Sequence, residues 1–185
     1  MIEETLKDAE ERMKKAIEAL KRDLVTIRTG RATPSLVDRL QVEYYGTPTP
    51  LNQLASISAP EPRLLMVQPW DRNSLPIIEK ALQKSEMGFN PSNDGRVIRI
   101  PIPPLTEERR REMVKVVKHK VEDGKVAIRN VRRDALHDLK EMQEEKMISE
   151  DDHKRAADRM EDLVHKYVRE ADHVGDAKEA EVMEV

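Results

Sequence analysis

Between its start and Ile27 the chain repeats apolar residues at Ile2, Leu6, Ala9, Met13, Ile17, Leu20, Leu24 and Ile27. Steps of three and four place them on one face of a helix. Gly30 follows at a natural stopping point. A second row, Val114, Val117, Val121, Ile128, Val131, Ala135 and Met142, predicts a helix from near Thr106 to about Met147. Thr106 is placed to cap its first turn, and Glu107 and Glu108 suit the positive end of its dipole. Gly124 falls on the same row, where it costs about 1 kcal/mol relative to Ala. That position predicts a close approach of helices. Ser149 with Asp152 has the spacing of a capping box and predicts a third helix. Its row is Ala156, Met160, Leu163, Tyr167, Ala171 and Val174. The final stretch, DAKEAEVMEV, has little apolar content and is expected to fray.

The intervening segment has a different period. Val37 to Tyr45 reads as extended, with Leu40, Val42 and Tyr44 alternating. Leu54 to Ala59 and Leu64 to Gln68 read as two further strands. Asn73 to Ser85 reads as a short helix with Ile77, Ile78, Ala81 and Leu82 on one face. Asn93-Asp94-Gly95 marks a turn. Val97 to Ile102 reads as a last strand, with Pro101 placing it at a sheet edge. All 11 prolines lie between Pro34 and Pro104. Proline breaks helix interiors, so the flanks accommodate long helices and the middle does not. The fold class that follows is α+β: an elongated three-helix bundle with coiled-coil-like packing and an inserted small sheet-containing domain. The bundle takes residues 1–29 and 106–185, the inserted domain residues 31–104.

Composition narrows the chemistry. The 185 residues include no Cys, which excludes a disulfide scaffold, thiol catalysis and Cys-ligated metal. The longest uninterrupted apolar run is Leu64 to Val67, far below the roughly 20 residues of a membrane span. The opening MIEETLKDAEE is acidic and amphipathic, unlike a secretory signal. A cytoplasmic location fits the absence of Cys. No Gly-x-Gly pair is present, so no glycine-rich phosphate loop is expected. The five histidines, His119, His137, His153, His165 and His173, are never three or four apart, so no helical pair chelates a metal. Asp151-Asp152 has no apolar pocket signal around it, and no Ser has a nucleophile-elbow context. No catalytic residue, metal or cofactor is expected.

Charge is unevenly spread. The formal net charge is -3, but residues 105–133 carry 10 basic and 5 acidic side chains, while residues 134–185 carry 8 basic and 17 acidic. On the second helix Arg111, Lys118, Lys125 and Arg132 recur every seven residues, which keeps them on one stripe. Arg129 and Arg133 widen it. Neighbours at three and four positions from Arg129 are Lys125, Arg133, Arg132 and Val126; those of Arg132 are Ile128, Leu136, Arg129 and Ala135. None is acidic, so an unneutralised cationic row is expected, suited to a phosphate backbone. Arg110 is the weaker candidate, because Glu107 is placed to pair with it. The competing reading is that Glu161, Asp162 and Glu170 of the third helix neutralise this face. The candidate RNA-binding residues are thus Arg110, Lys118, Lys125, Arg129, Arg132 and Arg133. With almost no aromatics on the bundle, contact would go to phosphate and sugar rather than stacked bases.

Several segments carry a resemblance that covers essentially the whole chain. They are RTGRATPSLVDRLQVEYYG (Arg28 to Gly46), TPLNQLASIS, EPRLLMVQPWD (Glu61 to Asp71), NPSNDGRVIRIPIPPLTEERR (Asn90 to Arg110) and KVAIRNVRRDA (Lys125 to Ala135). In this order and spacing they resemble the ribosome recycling factor family, and the lack of anything like a transit peptide favours its bacterial form. Where the family often has Asp-Ala-Asn, this chain has Asp134-Ala135-Leu136.

The resemblance implies an L-shaped, monomeric, two-domain protein that hydrolyses nothing. It would bind the post-termination ribosome and, with elongation factor G and GTP, split it into subunits, releasing messenger RNA and deacylated transfer RNA. It implies that the bundle lies on large-subunit ribosomal RNA, with Arg110, Arg129 and Arg132 at the family's contact positions. It also implies linkers at Thr29-Gly30-Arg31 and Ile102-Pro103-Pro104-Leu105 about which the inserted domain swings. Gly30 would supply permissive dihedrals there, and Pro103 and Pro104 would stiffen the return crossing. A coiled-coil adaptor that binds a partner protein through its helices is the alternative.

Overall fold

The structure, a computed structural model, describes residues 1–85 and 88–184. In chain order its elements are α1 (Ile2–Val25), β1 (Gln41–Tyr44), β2 (Thr47–Pro50), β3 (Ala55–Glu61), β4 (Leu64–Pro69), α2 (Leu75–Lys84), β5 (Ser92–Asn93), β6 (Ile98–Pro101), α3 (Glu107–Glu144) and α4 (Glu150–Met183). They divide into two compact units, one of residues 1–29 and 107–184, the other of residues 30–106.

The first unit is a bundle of α1, α3 and α4. Glu3 meets Arg159 and Glu10 meets Tyr167, so α1 and α4 run parallel. Arg12 meets Asp134, and Leu20 stands against Gly124, so α3 runs antiparallel to α1. The rows read from sequence form the core: Leu6, Ala9, Met13, Ile17, Leu20 and Leu24 of α1 pack with Val117, Val121, Ile128, Val131 and Ala135 of α3. α1 stops at Val25, five residues before Gly30, yet Ile27 is still buried in the same core. On α4 the buried row runs one position later than expected in two places. Val164 and Gly175 face inward, and Leu163 and Val174 pack beside them. The α4 start is the capping box itself: the Ser149 hydroxyl accepts from the Asp152 amide at 3.0 Å, and the Ser149 amide donates to the Asp152 carboxylate at 3.3 Å.

One expectation for the bundle is corrected. The C-terminal stretch does not fray: α4 continues to Met183, because Val182 is fully buried in the core and holds the last turns down. Val185, the last residue of that stretch, lies outside the described residues. At Gly124 α1 does come close, with Leu20 Cδ2 3.4 Å from where a Cβ would stand. The tighter of the two helical glycines is Gly175, where a Cβ would stand 2.4 Å from Val121 Cγ2.

The second unit holds a two-stranded hairpin, β1–β2, and a four-stranded antiparallel sheet in the order β3-β4-β6-β5. Leu65, Val67, Ile98 and Ile100 of the sheet share one core with Leu75, Ile78 and Leu82 of α2 and Val42 of β1. Ile77 lies on the exposed side of α2. The extended stretch ending at Tyr45 is interrupted by a two-residue turn, Tyr45 at φ +50° and Gly46 at φ +79°, which sends the chain back as β2. Positive φ at both central residues matches the right-handed twist of a hairpin. The edge assignment of the last strand is corrected. β6 lies between β4 and β5, but β5 covers just Ile98 and Arg99, so Pro101 sits beyond its end and pairs with Leu64 alone. At Asn93-Asp94-Gly95 the Asp94 carboxylate accepts from the amides of Arg96 and Val97, both at 2.9 Å.

Candidate nucleic-acid interface

α3 presents its cations beside its buried row. Helical geometry advances about 100° per residue, so Lys118, Lys125 and Arg132 drift slowly along the side toward α4, while Arg129 and Arg133 lie further out toward solvent. Arg110 lies elsewhere: eighteen residues, five full turns, separate it from Ile128, which puts it in line with the core. Its Nε is buried and has no hydrogen-bond partner. The expected pairing of Arg110 with Glu107 does not form. Glu107 binds Arg111 instead, four residues on, at 2.6 Å.

The expectation of an unneutralised row is corrected as well. Arg129 donates to Glu122 within α3, Nη1 to Oε1 at 3.1 Å. Arg132 lies 3.6 Å from Glu161, and Lys125 is paired with Asp172, both across on α4. Neighbours three and four away miss the first of these because an extended arginine reaches along two turns, about 10 Å. They miss the other two because those partners belong to another helix. Among the described residues no carboxylate engages Arg110, Lys118 or Arg133; Arg133 donates to the Asn130 side chain at 3.1 Å. The two arginine pairs stay wet, whereas the Lys125 side chain is 18% exposed beside Asp172. The side chains of Arg129 and Glu122 are 46% and 58% exposed, those of Arg132 and Glu161 38% and 43%. Exposed pairs of this kind contribute about 0–1 kcal/mol, so they are exchangeable for another anion.

Among the described residues no group of three or more His, Asp or Glu is arranged to hold a metal ion, and no helix is long and apolar enough to cross a membrane. At the start of the second unit Gly30 takes φ +77°, and a Cβ there would stand 3.2 Å from Leu105 Cγ. The outgoing and returning chain therefore pass side by side at these two residues. One surface feature has no counterpart among the sequence-based expectations. Tyr45 and Trp70 are 77% and 67% exposed, with Tyr44 edge-on to Tyr45 at 4.5 Å between ring centroids.

A family model described as Ribosome recycling factor matches residues 20–183. The chain belongs to the ribosome recycling factor family. It is 60% identical to the ribosome-recycling factor of Thermomicrobium roseum and 56% identical to that of Chloroflexus aurantiacus, each over the full length of both chains. Among solved structures, a solution structure of the ribosome recycling factor shares 44% identity at a TM-score of 0.72, covering all of this chain and 98% of that one. A second, from T. thermophilus, shares 45% identity at a TM-score of 0.63 with complete coverage of both. It is described with E. coli elongation factor G bound to the E. coli post-termination complex. The α+β class, a long-helix bundle plus a small antiparallel-sheet unit, is that of these structures.

Proposed function

We propose that this protein recycles ribosomes: it binds the post-termination ribosome and, with elongation factor G and GTP, separates the subunits so that messenger RNA and deacylated transfer RNA leave. The observation that carries this reading is end-to-end similarity to ribosome-recycling factors, at 60% identity for one of them. The protein acts in the cytoplasm as a monomer, without catalysis and without a cofactor. Free energy for splitting comes from binding and from the GTPase.

The α3 face is the contact with large-subunit ribosomal RNA. Arg129, Arg132, Lys118, Lys125 and Arg133 meet phosphate and sugar, and Arg110 meets it from the first turn of the helix. Because three of these cations already hold carboxylates, docking is an exchange of anions rather than the filling of an empty row. The crossings at Thr29, Gly30 and Arg31 and at Ile102, Pro103, Pro104 and Leu105 serve as the hinge between bundle and inserted domain. Two crossings limit bending to an axis.

The test is binding to vacant ribosomes across a salt series. Phosphate contacts make affinity fall steeply with salt, and Arg132→Glu abolishes binding while leaving the helical circular-dichroism signal unchanged. Salt-independent binding that survives Arg132→Glu would instead identify a helix-mediated protein adaptor.

A further inference from the structure

The carboxylates that hold the α3 cations come from separate places. Glu122 lies on α3 itself, seven residues before Arg129; Glu161 and Asp172 lie on α4, eleven residues apart. They converge on three neighbouring cations within one eight-residue span of α3, Lys125 to Arg132. We propose that Glu122, Glu161 and Asp172 are specificity-determining residues: they withhold Arg129, Arg132 and Lys125 from generic polyanions and release them to a folded RNA that presents several phosphates in the matching positions. This inference rests on the reading of α3 as the RNA-binding face.

The argument is one of competition. A phosphate approaching Arg129 must displace Glu122, and it also meets the repulsion of that carboxylate. Each exchange alone gains little, because one weak charge-assisted contact replaces another. An unstructured strand makes such exchanges one at a time and pays ordering entropy for each. A rigid RNA surface has already lost that freedom, so once one phosphate is seated the others act at high local concentration. Lys118 and Arg133, which hold no carboxylate, supply the first attraction for either kind of RNA. The carboxylates therefore lower loose binding more than matched binding, which raises the ratio between them.

A plainer role is open to the same contacts: Arg132–Glu161 and Lys125–Asp172 link α3 to α4 and could simply staple the bundle. Arg129–Glu122 cannot, since both ends lie on one helix. Stapling predicts a lower unfolding temperature on neutralisation and no change in binding to loose RNA.

The experiment compares the wild type, E122Q/E161Q/D172N, the single variant E122Q, and E4Q/E144Q/E145Q. The last makes the same charge change at exposed positions that pair with none of the three cations. Probes are a 40-nucleotide oligouridylate and vacant ribosomes, each over a salt series. Releasing the cations should tighten oligouridylate binding at least tenfold, at up to about fivefold for each of the two exposed arginine pairs. It should also steepen the salt slope by about 2, at about 0.7 per added phosphate contact on a single strand. Ribosome affinity should change less than threefold. E122Q alone should give about a two- to fivefold gain, which keeps the test alive should the triple variant fail to fold. An E122Q/E161Q/D172N response no larger than that of E4Q/E144Q/E145Q overturns the inference, as does an equal gain for ribosomes and oligouridylate. Intact ribosome binding by Arg132→Glu overturns the underlying reading of α3, an outcome that the oligouridylate arm cannot mimic.

Discussion

Gly124 of α3 and Gly175 of α4 both lie inside helices of the same bundle, and the same change to alanine should move stability in opposite directions. In each, alanine restores about 1 kcal/mol of helix propensity. At Gly124 the new Cβ meets Leu20 Cδ2 at 3.4 Å and Leu20 Cβ at 3.7 Å, ordinary contact distances, so the propensity gain is unopposed. At Gly175 it would stand 2.4 Å from Val121 Cγ2 and 3.6 Å from Val121 Cβ. Carbon atoms pack best at about 3.5–4.0 Å, so either the helices separate by about 1 Å or Val121 turns. Valine in a helix has one strongly preferred rotamer, and overpacking a filled core costs about 1–3 kcal/mol. Subtracting the propensity gain leaves Gly175→Ala destabilising by about 1 kcal/mol, against a gain of about 0.5–1 kcal/mol for Gly124→Ala. Thermal unfolding followed at a helical circular-dichroism band reads the difference, at about 4–8 °C per kcal/mol for a domain of this size. Adding Val121→Ala to Gly175→Ala removes the offending methyl, and the pair should couple by about 1 kcal/mol in a double-mutant cycle. Gly175→Ala as stabilising as Gly124→Ala would refute the close approach. The consequence reaches the binding face, because Val121 and Gly175 lie one turn from the Lys125–Asp172 pair.

Ser149→Ala removes the hydroxyl half of a reciprocal cap and leaves the backbone amide on Asp152; it should cost about 1 kcal/mol in chemical unfolding, with Ser149→Asp recovering most of it. Val182→Ala should lower bundle stability by about 1–2 kcal/mol, whereas a frayed terminus would show no loss; slow amide exchange at Val182 is the matching expectation for a helix held down to its end. Two backbone amides, and then Arg99, hold the Asp94 carboxyl down to about 2, against an ordinary value of about 3.9. A folded-state value below the unfolded one means the turn's contribution is complete above about pH 4 and disappears as pH falls through about 2. An NMR titration of the Asp94 side chain in the folded protein checks it, and a midpoint near 4 would show that the turn is not formed.

The bundle was readable because its burial follows steps of three and four that local sequence displays directly, from Leu6 to Leu24 and from Val117 to Ala135. The start of α4 was readable because a cap is a local device. The hairpin was not: Tyr45 occupies a turn position that asparagine or glycine normally marks, and Pro48 and Pro50 disguise β2. β6 was misplaced because a proline forbids a donor at one residue and says nothing about the rest of its strand. Of the two helical glycines, Gly124 is the one that lies on an apolar row visible in sequence. The tighter one was Gly175, since closeness depends on which side chain the neighbouring helix brings opposite. The cationic row was visible as a seven-residue repeat, but its neutrality was not. Glu122 lies beyond a local window, and Glu161 and Asp172 meet the row through tertiary packing alone. Trp70 and Tyr45 likewise announce their exposure solely in three dimensions.

The account is tested most directly by sedimenting post-termination ribosomes after incubation with this protein, elongation factor G and GTP. It predicts separated subunits with the wild type, intact particles when the GTPase is left out, and intact particles with a folded Arg132→Glu variant. Subunit release by Arg132→Glu at the wild-type level would contradict the claim that the α3 face seats the protein on ribosomal RNA.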